Sequence, residues 1–113
     1  MSQPFPDLRE VRRRAAELIE REGHVQVDEC PGPHGGRKRH SANGPRCVPC
    51  GVQDTLRDMG YQPSITTADV AIAIAQQLAR EVGHDWFPYG DTLYHWNDWN
   101  DEADVVAGLK GEA

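Results

Sequence analysis

Aliphatic residues are scarce. Leu, Ile, Val and Phe together fill 21 of 113 positions, about 19%, close to the level below which chains stop folding unaided. Long apolar runs are missing too: the longest, Val70 to Ala75, falls far short of the roughly 20 residues of a membrane span. The opening Met1-Ser2-Gln3-Pro4 lacks the basic-then-apolar layout of a secretory signal, so the expectation is a cytoplasmic chain without membrane contact. Cysteine is limited to three residues, an odd number that disfavours a disulfide framework. Positive charge is in deficit, with 12 Lys and Arg against 18 Asp and Glu and a net charge of −6. Residues 1–50 hold nine basic and seven acidic side chains, whereas residues 51–113 hold three and eleven. That balance argues against a domain built to lie along a nucleic-acid backbone.

What is present reads as one domain over residues 1–113. Asp7 followed by Glu10 forms a helix start, and Leu8, Val11, Ala15, Leu18 and Ile19 then fall on one helical face, with Gly23 as the stop. The run Arg12 to Arg14 reads as a solvated face of that helix. Residues 24–28 alternate apolar with polar side chains and predict a short strand. Val52, Leu56 and Met59 mark a second helix ending at Gly60, and Ala71, Ile74, Ala75, Leu78 and Val82 mark a third ending at Gly83. Thr92 to Trp96 predicts a strand pairing with residues 24–28, and Asp101 with Asp104 opens a last helix through Val105, Val106 and Leu109. The fold class expected is mainly α, about four helices with a minor two-stranded β element.

Between Cys30 and Pro49 the many Gly and Pro residues exclude both helix and central strand. A loop that long inside a small domain is functional, disordered or tied down by other means. The spacing of Cys47 and Cys50, with Gly51 after them, has the form of a metal knuckle, since two intervening residues let both sulfurs face one ion. Cys30 with His34 or His40 completes a Cys₃His set, the ligand type and number of a closed structural zinc site. Residues 30–50 are therefore expected to form a zinc-binding loop that staples the domain and supplies the stability a thin core lacks.

Partner contacts are assigned to two surfaces. One is the basic run Arg37, Lys38 and Arg39 inside the loop, and the other is the aromatic stretch with Trp86, Tyr89, Trp96, Asp98 and Trp99. Trp, Tyr and Arg are the residues that interfaces favour. The leading expectation is a zinc-binding, non-enzymatic regulatory or inhibitory protein that acts on a protein partner. Two alternatives stand beside it. In the first, the basic loop binds nucleic acid. In the second, the chain is a hydrolase, either thiol-dependent through Cys50 with His84 or His95 and Asp98, or metal-dependent with Glu29 as general base.

The order of several features resembles a family. Ala15 to Glu20 followed by Gly23, then Arg46-Cys47 leading into a helix, then Trp96-Asn97-Asp98 and a terminal helix with Glu102, Asp104, Val105, Val106 and Leu109 together resemble small uncharacterised proteins of high-GC bacteria and their phages. That family carries one Cys before a helix, whereas this chain has both Cys47 and Cys50, and its segment from Cys30 to Arg46 has no counterpart there. The resemblance implies a layout and no activity.

Overall fold

The structure is a computed structural model that describes residues 6–26, 45–61, 65–82 and 92–111. Helix α1 (Leu8–Glu22) begins where Asp7 accepts hydrogen bonds from the backbone N–H of Arg9 and Glu10 at 3.0 and 3.5 Å. Glu10 does not close a capping box. It takes Arg13 and Arg14 at 2.6 and 2.7 Å instead, and the hydrogen bonds from Arg13 and then Arg14 hold its carboxyl down at about 2. The helix ends at Gly23, whose φ of 105° suits glycine and whose N–H donates to Ile19 O at 2.7 Å.

Four further helices follow: α2 (Val48–Asp58), α3 (Ile65–Val82), α4 (Thr92–Trp99) and α5 (Glu102–Lys110). The last begins at Asp101, which accepts from Asp104 N at 2.9 Å. Helix α1 packs chiefly on α5 and α2, while α3 meets α4, α2 and α1. All five contribute to one apolar cluster that includes Val11 and Ile19, Val52 and Leu56, Ile74 and Leu78, Leu93 and Trp96, and Val105 and Leu109. Among the described residues no helix is long and apolar enough to cross a membrane.

Two parts of the expected fold class are corrected. The chain is mainly α, but with five helices, and no two-stranded element exists among the described residues. Thr92 to Trp96 lies in α4 because Leu93, Trp96 and Asn97 are the buried positions, a spacing of three and four that only a helix produces. Strand periodicity would have buried His95, which is exposed. From the segment after α1 only a single parallel bridge between His24 and Arg46 survives, one residue pair and no ladder. The second correction concerns the zinc staple. The helices close their core among themselves, and the described residues contain no group of three or more His, Cys, Asp or Glu arranged to hold a metal.

Close packing and a buried cation do the stapling. Gly108 of α5 lies so near Trp96 of α4 that a Cβ built on it would sit 2.8 Å from the indole Cζ2, so glycine is what admits the ring. Arg12, expected on the solvated face, is 6% exposed. Its Nε donates to Leu109 O at 3.1 Å, one terminal nitrogen to Gln77 Oε1 at 2.9 Å and Glu81 Oε2 at 2.7 Å, and the other to Glu81 Oε1 at 2.8 Å and Gly108 O at 2.7 Å. A guanidinium has five N–H donors, and all five are used. The bidentate arrangement joins α1 to α3, while the two carbonyls lie in the last turn of α5, where that of Gly108 also accepts the Gly111 N–H at 3.0 Å.

Replacing Gly108 by Ala should destabilise the protein by roughly 1–3 kcal/mol through overpacking. Urea unfolding followed by circular dichroism measures this, and the cost should fall by at least half in a Trp96→Phe background if the clash is its cause. The hydrogen bond from Arg12 lowers the Glu81 carboxyl pKa, so the stability it contributes is present above the ordinary carboxylate range and is lost as pH falls through the lowered value. Glu81→Gln should therefore cost on the order of 1 kcal/mol at pH 7, the carboxylate being half exposed. The difference from wild type should vanish in acid, and equal differences at pH 7 and in strong acid would refute the linkage.

Candidate functional site

The N-terminus of α2 gathers the chemistry-bearing residues. Cys47 stands at the N-cap and Cys50 in the first turn, after Pro49, a position proline tolerates because the first-turn N–H groups have no intrahelical acceptor. Both cysteines are buried, at 0% and 2% exposure, and pack together with Val25 in a small cluster apart from the main core. The side chain of Cys47 makes no cap hydrogen bond to the helix. That function falls to Asn97, distant in sequence, whose Oδ1 accepts from Val48 N at 2.7 Å.

Asn97 is fully buried and its amide is fully occupied. Oδ1 also lies 2.9 Å from His24 Nε2, while Nδ2 donates to Val25 O at 3.1 Å and to Asp98 Oδ1 at 3.0 Å. Turning the amide over would set its N–H₂ against the Val48 N–H and its oxygen against the Val25 carbonyl, so the neighbours fix its orientation. His24 Nε2 must then carry the proton and donate. The backbone N–H of His24 is taken by Glu102 Oε1 at 2.9 Å, at the start of α5. Arg46, just before the cysteines and 4% exposed, pairs with Asp54 of α2 at 2.6 Å, and Asp54 also meets Arg57 at 3.1 Å. The entry into α2 is thus held from the segment after α1, from α4 and from its own second turn.

Of the expected metal ligands, Cys47 and Cys50 come together, and Cys30, His34 and His40 lie outside the described residues. The basic residues Arg37, Lys38 and Arg39 and the aromatics Trp86 and Tyr89 lie outside them as well, as do Glu29 and His84. Trp96 was expected at a partner surface. It is instead part of the core at 4% exposure, because it fills the space over Gly108. Trp99 is 65% exposed and lies beside His95, with ring centroids 5.7 Å apart and the planes inclined by 30°. Asp98 is half-buried and receives Asn97 Nδ2, with Gln26 Nε2 at 3.4 Å from its backbone oxygen.

Cys47 and Cys50 are buried, His24 Nε2 donates to Asn97, and His95 is exposed beside Trp99. The second helical arginines are spent as well: Arg13 pairs with Glu10 and Glu17 at 2.6 Å each, and Arg14 with Glu10. Sequence reasoning passed over Asn97 and His24 as site residues. The available signal was an Asn between two Trp in what proves to be a helix, where Asn is a poor former and needs a specific reason to be present.

Comparison with known proteins adds membership and no activity. Residues 5–111 match the model of a family of unknown function, DUF6197. No curated protein and no solved structure matches the chain.

Asn97→Ala would leave the Val48 N–H, the Val25 carbonyl and the His24 ring without their partner. Only the Val48 N–H is buried, the other two groups being part-buried, so the loss should be about 1–3 kcal/mol, the cost of one buried unsatisfied group. Amide hydrogen exchange should show protection at Val48 falling before that of α3. Unchanged protection at Val48 would mean that another group caps α2.

Proposed function

The chain belongs to this family of unknown function, and we propose, from its own residues, that it is a small zinc-binding, non-enzymatic regulatory protein that acts by binding a protein partner. The observation that carries the zinc reading is the packing of Cys47 against Cys50 at the start of α2, the spacing at which two thiolates share one ion. The remaining ligands under this reading are Cys30 and one of His34 and His40. The five described helices share one apolar cluster, so under this reading the metal is not assigned the task of holding the helical core together. The inaccessibility of both thiols supports a non-catalytic role. Trp99 supports partner binding, since a large exposed aromatic side chain flanked by the acidic Asp98 and Asp101 suits an interface anchor with a basic counterpart.

Elemental analysis of untagged protein should find one zinc per chain, and Cys47→Ser and Cys50→Ser should each remove it. Far-UV circular dichroism should keep most of its helical signal after chelation. Protein without zinc at neutral pH would remove the metal from the reading. For the partner, affinity capture with wild type and Trp99→Ala in parallel should yield a protein held at least tenfold more weakly by the variant, and equal retention would exclude Trp99 as the anchor.

A further inference from the structure

The surface beneath the Arg12–Glu81 pair is a cleft far from the cysteines in sequence. One part of about 370 Å³ is lined by Arg9, Arg12, Glu81 and Lys110, and an adjoining recess of about 320 Å³ shares Arg9, Arg12 and Glu81 and adds Gln77 and Arg80. These volumes lie in the range of small-ligand sites. Among the described residues four cations and one carboxylate meet there, in a chain of net charge −6. Arg9 and Arg12 lie three apart on α1, and Gln77, Arg80 and Glu81 lie three and four apart on α3, so each helix presents its set on one face.

The charges are unequally engaged. Arg12 and Glu81 neutralise each other through two parallel hydrogen bonds, and every Arg12 donor is used inside the protein. Arg9 and Arg80 lie close enough to Glu81 to lower its pKa through their charge, yet neither guanidinium makes an ion pair among the described residues. Gln77 spends its oxygen on Arg12, which leaves its amide N–H groups as donors. Lys110 is held by a long contact of 3.4 Å to the exposed Glu20. A neutral floor is thus surrounded by two guanidinium groups, an ammonium and an amide donor.

We propose that this cleft binds a small ligand through a phosphate group, with Arg9 and Arg80 gripping the phosphate oxygens and Lys110 and Gln77 completing the contacts. Three cations beyond the internally balanced pair suit a dianion better than a single carboxylate, and guanidinium matches phosphate in paired geometry. An extended nucleic acid is disfavoured because the cations converge on a pocket and form no track.

Isothermal titration of the full chain with inorganic phosphate and with phenyl phosphate, at constant ionic strength, tests this. Saturable binding by at least one of them with a dissociation constant below about 1 mM is expected. Arg9→Ala/Arg80→Ala should weaken it at least tenfold, and Arg57→Ala, outside the cleft, should leave it unchanged. Because Arg9 and Arg80 are exposed and hold no internal ion pair, the double variant should keep the wild-type circular dichroism. Tighter binding of phenyl phosphate than of inorganic phosphate identifies a monoester as the ligand class, and the reverse identifies free phosphate. No saturation with either probe, equal loss with Arg57→Ala, or undiminished binding by the double variant would overturn the proposal.

Discussion

The carboxamide of Asn97 is the constraint on which the entry to α2 depends. Two acceptor and two donor positions meet the Val48 N–H, the His24 ring, the Val25 carbonyl and Asp98, so one side chain satisfies groups from three separate stretches of chain. A buried amide with all four positions filled is favourable only in that one arrangement, because any shift leaves a group unpaired in a medium where that is costly. The thiols of Cys47 and Cys50 inherit their position from it: the helix that carries them begins where Asn97 caps it. Cys47, at the N-cap, is thereby relieved of the capping role and packs beside Cys50.

Arg12 does for the other end of α1 what Asn97 does beyond Gly23. It too is buried and fully occupied, and it too bonds to the end of a helix, donating to the carbonyls of Gly108 and Leu109 at the close of α5. Both devices join distant segments by hydrogen bonds whose geometry admits little variation. A chain with few aliphatic residues has limited means of specifying one packing through shape alone. Glycine at 108 under the Trp96 ring adds steric specificity, and the polar groups add directional specificity.

Most of the local structure was legible because it is locally encoded. The caps at Asp7 and Asp101 and the stops at Gly23 and Gly60 depend on groups within a few residues, and each is found where the sequence placed it. What was hidden depends on partners far along the chain. Three successive arginines look alike on paper, and only the spacing of Arg12 from Leu8, Ala15 and Ile19, the same row of the helix, sets it apart for burial. Thr92 to Trp96 carries β-branched and aromatic residues in a stretch too short for periodicity to decide, and burial of Leu93, Trp96 and Asn97 made it helical. Within the candidate site the cysteine pair was legible from its spacing, while the role of Asn97 required knowing that α4 lies against α2.

The division of charge along the sequence also acquires a structural meaning. Arg12 of the more basic first half meets Glu81 of the strongly acidic second half, while Lys110 with Glu20 runs the opposite way and Glu102 takes the backbone N–H of His24. The exposed pair of Lys110 with Glu20 contributes little energy, whereas Arg12 is buried. Glu81 could in principle have paired with Arg9 or Arg80. Arg12 wins it because a buried guanidinium without a carboxylate would be far more costly than an exposed one left in water. The basic character of the cleft follows directly from that competition, since Glu81, the one carboxylate among its described lining residues, is committed to Arg12 and the two outer arginines keep their charge facing solvent.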